Sequence, residues 1–324
     1  MATITATCRL RWAALLLGLV LVVPALCAPE LTINGYVQGR ATNAIGNLPA
    51  TSPRLNFDAS RFYLILNAKV DENVSARVTM KQTMADTNTI NLLEAYGQYT
   101  KGDMNARLGL ISVPFGYENP LGSSQLITLE RSAISMDLIY SYVFDRGVSF
   151  SFVPKDGLNV SVAAVNGQTY KVAKDTDQTT NGAARVSFIM PICTVGASAY
   201  IGKLGGANVQ RYGVDLKGAM GPLMLIAEGI QAKDGGVKKN GGYATLAAKL
   251  PVLPIMPYAR YDVYNGNVGT PGSYFQRATV GGIYQINPTS KFTVEYQMIP
   301  NNYIPSSLSL GPTGQLAAQY QVAF

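Results

Sequence analysis

Residues 29 to 324 are built from segments of about ten residues in which apolar and polar side chains alternate, and this period of two fixes what the chain can become. Clear examples run from Asn73 to Gln82, Gly147 to Val153, Lys291 to Met298 and Gln315 to Phe324. Successive side chains on a strand point to opposite faces, so each segment has one apolar and one polar face. In Gly147 to Val153, Val148, Phe150 and Phe152 share a face opposite Ser149 and Ser151. In the last segment Leu316, Ala318, Tyr320, Val322 and Phe324 oppose Gln315, Gln319 and Gln321. A packed sandwich would enclose the apolar faces, whereas a closed sheet in lipid encloses the polar ones.

The expected strands are 30-40, 54-70, 73-84, 90-100, 104-113, 145-153, 158-166, 181-190, 193-202, 211-219, 223-232, 241-250, 255-264, 277-286, 291-300 and 314-324. The fold class is therefore all-β, a transmembrane antiparallel β-barrel of about 16 strands. Ten residues rising about 3.3 Å each at a tilt of about 40° cover about 25 Å, the height of an outer-membrane apolar band. Tight turns at 71-73, 101-103, 154-157, 251-254 and 287-290 fall on one side, and longer connections near 41-53, 114-144, 167-180, 233-240, 265-276 and 301-313 on the other. After residue 28 no run of 18 apolar residues occurs, so a helical membrane protein is excluded.

Positions 1-28 read as a secretory signal. Arg9 and Arg11 precede an apolar run from Ala13 to Val23, and cleavage after Cys27 or after Ala28 is open. The domain that remains, 29-324, is the barrel. Without the two signal arginines it has 24 Lys+Arg against the chain's 19 Asp+Glu, a net charge near +5. These charges are scattered, which argues against a nucleic-acid partner. Only Cys193 of the three cysteines lies beyond the signal, so an internal disulfide is excluded. The chain has no histidine, which removes Ser-His-Asp catalysis and His-containing zinc sites. No cofactor, no metal and no enzymatic activity are expected.

If the apolar face meets lipid, parity sends thirteen basic residues into the lumen: Arg40, Arg61, Lys69, Arg77, Lys81, Arg107, Arg185, Arg211, Lys217, Lys249, Arg260, Arg277 and Lys291. Five carboxylates accompany them: Glu94, Asp215, Glu228, Asp262 and Glu295. A basic lumen between low-dielectric walls raises the local concentration of anions. Small anionic solutes are the expected cargo and outer-membrane lipid the expected surroundings. Some of these charges, such as Lys69, Lys217 and Lys291, can instead be rim charges, and Arg260 and Asp262 can pair along their strand. The connection 114-144 is long enough either to fold into the pore or to form an outer lid.

A terminal Phe324 with Tyr320 on the same face resembles the carboxy-terminal signature of bacterial outer-membrane barrels, which implies residence in the bacterial outer membrane. A longer stretch carries a second resemblance. Leu93-Glu94-Ala95-Tyr96, then Arg107 to Glu118 with its Pro114-Phe115-Gly116-Tyr117-Glu118, then Ser123-Ser124 and Glu130-Arg131-Ser132 resemble the central region of the phosphate-selective porin O and P family. That resemblance implies a sixteen-stranded barrel, a homotrimer, a third loop folded into the pore and basic residues guiding phosphate. Onto this chain it carries Arg61, Glu94 and Arg131, whereas the arginine that adjoins Arg61 in the family and its deeper lysines have no counterpart. The anion-binding set expected from parity and resemblance together is Arg61, Arg77, Lys81, Glu94, Arg107, Arg131, Arg185, Arg211, Arg260 and Arg277. A competing reading is a barrel that sheathes or anchors a partner protein, such as an electron carrier, across the outer membrane.

Overall fold

The computed structural model describes residues 29–46, 55–83, 89–139, 143–172, 178–300, 305 and 313–324; the expected signal, 1-28, lies outside them. Sixteen strands run in order: β1 (Glu30–Ile45), β2 (Leu55–Lys69), β3 (Val74–Thr83), β4 (Asn91–Lys101), β5 (Met104–Ser112), β6 (Phe144–Phe152), β7 (Leu158–Val165), β8 (Asn181–Ile189), β9 (Cys193–Leu204), β10 (Ala207–Met220), β11 (Leu223–Asp234), β12 (Val237–Ala248), β13 (Ile255–Asn265), β14 (Tyr274–Asn287), β15 (Ser290–Met298) and β16 (Gly314–Ala323). Each pairs antiparallel with its sequence neighbours, and β1 closes on β16 through partners such as Gln38 and Gln321. Closure leaves no unpaired edge, which lipid would not tolerate. No helix among the described residues is long and apolar enough to cross a membrane.

The faces obey the alternation. Phe150 (54% exposed), Leu316, Tyr320 and Phe324 lie on the outer surface, while Ser149 (5%), Gln315, Gln319 and Gln321 are buried inside. Large apolar side chains therefore cover the outside of the wall and amides and hydroxyls cover its inside, as a lipid-facing barrel requires.

Three differences from the expected elements have local causes. The long connection expected at 233-240 is a two-residue turn, with Asp234 paired to Val237 across Gly235 and Gly236. Both glycines have positive φ, at +57° and +93°, the backbone that tight hairpins need and that glycine adopts without strain. A second pair, Gly205-Gly206, joins β9 to β10 in the same way. β1, β10 and β14 outrun the expected limits because their ladders continue past the apolar band, where polar outward side chains such as Asn43 and Gln210 sit.

The third difference is a bulge. The β3–β4 register shifts between Thr79 and Met80, whose partners are Glu94 and Leu92. Leu93 is left over, and it is buried with Tyr36 and Tyr63 inside the barrel instead of facing lipid.

Candidate functional site: the lumen and its inward loop

The β5–β6 connection lies inside the barrel. It leaves the wall at Val113, whose amide donates to Val143 O at 2.7 Å, and passes through a 3-10 turn (Ser123–Gln125) and a π-helical turn (Ser135–Ile139). Ile134, Leu138 and Phe115 are buried against Tyr200, Ile230, Tyr264 and Phe275 of the wall. This fixes the alternative left open for 114-144: its described residues 114–139 enter the lumen.

Its polar groups are answered by the wall strand by strand. Glu228 on β11 accepts the amides of Tyr117 and Glu118 and the hydroxyl of Tyr243 at 3.1 to 3.3 Å. Glu295 on β15 accepts the Leu129 amide at 3.0 Å and the Tyr258 hydroxyl at 2.7 Å. Asp262 on β13 accepts the Ala133 amide at 3.0 Å, and Ser198 on β9 accepts that of Gly116. Gly116 has φ +71°, and a Cβ there would lie 2.2 Å from the Glu228 carboxylate, so glycine is required where the loop approaches β11. Lys291 Nζ donates to Ser124 O at 2.8 Å, and the Tyr36 and Ser123 hydroxyls share a hydrogen bond at 2.6 Å.

Most of the expected anion-binding arginines hold this loop. Arg40 and Arg61 converge on Glu130 at 2.6 and 2.5 Å. Arg260 pairs with Glu118 at 2.7 Å and Arg277 with Asp262 at 2.9 Å. The alternative left open, a pair between Arg260 and Asp262 along their strand, does not form, because each finds a better-placed partner across the lumen or the ladder. Arg277 also donates to Arg131 O at 2.9 Å, Arg131 to the carbonyl of Leu121, and Arg211 to that of Leu138 and to Asp234. Lys291 is likewise a loop anchor and not a rim charge.

Two loop carboxylates are held ionised. Burial would raise the Glu130 carboxyl, but the guanidiniums of Arg61 and Arg40 outweigh it and bring the group down to about 2. Burial acts against Glu118 too, and Arg260 with the Ser132 amide lowers it below the ordinary value.

The opposite wall differs. Arg77 on β3 donates Nε to Glu94 at 2.9 Å, and the Thr79 hydroxyl donates to the same carboxylate at 2.7 Å. Lys81 Nζ lies 5.8 Å from the centre of the Tyr170 ring. Arg107 on β5 donates Nε to Gln98 Oε1 at 2.7 Å, with its guanidinium 5.0 Å from the centre of the Tyr96 ring. It makes no ion pair among the described residues. Arg77, Tyr96 and Gln98 line a cavity of about 250 Å³ that also takes in Lys69 and Glu30 at the turn side. Between the walls, Arg185 on β8 is held by Asp215 at 2.5 Å.

The strand residues of the expected anion-binding set face the lumen but separate by role. Arg61, Arg131, Arg211, Arg260 and Arg277 fasten the loop, whereas Arg77, Lys81, Glu94 and Arg107 line the wall away from it. Sequence reasoning missed the fastening role of Glu118, Glu130, Asp137, Tyr258 and Tyr264. The first three lie in the loop, beyond the reach of strand parity, and the Tyr264 hydroxyl bonds to Asp137.

A closed sheet with an apolar exterior, a polar interior and one loop inside defines an outer-membrane barrel of the porin type. No protein-family model matches the chain, and no curated protein matches it by sequence. Solved structures do match. The loop L8 deletion mutant of OmpT, an outer membrane protein of Vibrio cholerae, aligns with a TM-score of 0.68 at 10% identity, covering 92% of this chain and 100% of that one. The anion-selective porin from Comamonas acidovorans gives 0.67 at 12%, covering 91% and 100%. OmpF of Salmonella typhi, in complex with daunomycin, gives 0.68 at 12%, covering 92% and 98%. The chain shares the fold of Gram-negative outer-membrane porins.

Proposed function

We propose that this chain is a porin: a passive, water-filled channel for small hydrophilic anions, carrying out no covalent chemistry and assembled as a homotrimer. The observation that carries the anion preference is the wall of β3 to β5. There Arg77, Lys81 and Arg107 face the lumen with one carboxylate, Glu94, among the described residues. Cations held in a wet, narrow space attract anions weakly and at several points, which suits conduction better than one tight site.

Two further points support the reading. A solved structure of the same fold is described as an anion-selective porin, and another as a trimer form. Phosphate enters through the resemblance to the porin O and P family. Two of the residues it carries over, Arg61 and Arg131, are committed to the loop, so phosphate recognition rests on Arg77, Lys81, Glu94 and Arg107. The inward loop also argues against a sheath around a threaded partner, since it occupies the interior along β9 to β15.

The test is the reversal potential of the purified barrel in a planar bilayer under a potassium chloride gradient, repeated with inorganic phosphate added. Chloride is expected to permeate better than potassium, with phosphate reducing the chloride current. Preference for potassium would remove the anion reading, and a chloride current indifferent to phosphate would remove phosphate.

A further inference from the structure

The turn-side rim of the barrel is of two kinds. Around β2 to β7 and β14 to β15 the turns are polar: Asp71-Glu72-Asn73, Gly102-Asp103, Lys155-Asp156 and Pro288-Thr289. Tyr99, Phe152 and Tyr284 stand exposed on the outer surface just above such turns, where aromatic rings mark a membrane–water boundary.

Three turns that are neighbours around the barrel break this pattern. They are Met190-Pro191-Ile192 between β8 and β9, Gly221-Pro222 between β10 and β11, and Leu250-Pro251-Val252-Leu253-Pro254 between β12 and β13. Ile192 is 68% exposed, Met220 74% and Val252 89%. The turns carry no charged residue, and Lys249, which precedes the third, is directed to the lumen by its parity. Proline brings no amide hydrogen. Amides and carbonyls in and beside the turns are satisfied internally: Met190 donates to Cys193 O at 2.7 Å, Leu250 to Ile255 O at 3.2 Å, Ala219 to Ile192 O at 2.9 Å and Lys249 to Pro222 O at 2.8 Å.

The height of the wall says what covers them. On β11 the outward positions turn polar at the exposed Gln231, and on β12 at its register partner Asn240. From Gln231 to Leu223, and from Asn240 to Ala248, is a rise of eight residues, about 20 Å at the usual rise and tilt against an apolar band of about 25 Å. β11 and β12 are short by roughly two residues, about the depth that the apolar turns add, whereas β10, from Gln210 to Met220, and β13, from Asn265 to Ile255, span ten.

We propose that the rim from β8 to β13 is immersed in the hydrocarbon of the turn-side lipid leaflet, its three apolar turns completing a lipid-facing band that β11 and β12 alone leave short. The patch is continuous with the lipid-facing wall, and membrane lipid is its partner. The inference rests on the membrane-spanning fold and is independent of what passes through the lumen.

A Cys193→Ser background carrying Val252→Cys, or Asp156→Cys in a polar turn as reference, tests it. Each full-length barrel is labelled with an environment-sensitive fluorophore and placed in lipid nanodiscs, open to water on both faces. The label at 252 is expected to be quenched several-fold more by acyl chains brominated near the glycerol end than the label at 156, and several-fold less by iodide. Equal iodide quenching at the two positions would overturn the proposal. Protection at 252 from both quenchers would overturn it too, and would assign the patch to a second copy of the chain.

Discussion

The two sides of the lumen use the same residue types to opposite ends. Along β9 to β15, with β1 and β2, buried arginines meet carboxylates and loop carbonyls, and the result is a fastening for the inward loop. Along β3 to β5, among the described residues, Arg77 meets the carboxylate of Glu94, Lys81 the ring of Tyr170, and Arg107 an amide and the ring of Tyr96. What makes an arginine a fastening for the loop is therefore the set of carboxylates and carbonyls within its reach, which the strand sequence alone does not display.

The largest effect that tests this contrast is expected from Asp262→Ala. It removes the partner of Arg277, whose side chain is 2% exposed, and the acceptor for the Ala133 amide. Leaving a buried guanidinium without its counter-charge should cost about 3 to 5 kcal/mol, read as a lower urea midpoint of the folded barrel. An unchanged midpoint would mean that the fastening wall does not fasten.

Acidification comes next. The Glu130 carboxyl, held at about 2 in the folded state against an ordinary 4.5, contributes stability that is complete above about pH 4.5 and lost as the pH falls towards 2. With the side chain 23% exposed, that contribution is about 2 to 3 kcal/mol. Urea titrations between pH 6 and pH 2 should show the loss, and Glu130→Gln should flatten that part of the profile.

Smallest in stability, but decisive for selectivity, are changes on the other wall. Arg107→Glu should lower the chloride-to-potassium permeability ratio several-fold while moving the unfolding free energy by no more than about 1 kcal/mol, because this guanidinium breaks no ion pair. Glu94→Gln should raise the ratio by a smaller factor. If both shift the ratio the same way, charge on this wall does not set selectivity.

The barrel is legible in the sequence because period two and turn chemistry are local signals. Sixteen strands, their order and the facing of Arg61, Arg77, Glu94 and Arg260 all come from counting by two. The Gly235-Gly236 hairpin differs from the long connection expected there, although two adjacent glycines between strands are a turn signal in their own right. Leu93 escapes parity because a bulge adds one residue and reverses the facing of its neighbours along the strand. The pairing of charges is not legible at all. Glu118 with Arg260 and Glu130 with Arg40 and Arg61 join residues 69 to 142 apart, and nothing in the alternation of a loop says where it will lie.

The seating of the loop also imposes an order of events. It leaves the wall after the fifth strand, yet the groups that answer its amides and carbonyls belong largely to residues 198 to 295. A chain that has emerged only as far as residue 143 carries the whole loop and few of its anchors. Contacts of such long sequence separation form late and slowly. The width of the bore is then among the last properties acquired during biogenesis, after the wall that surrounds it.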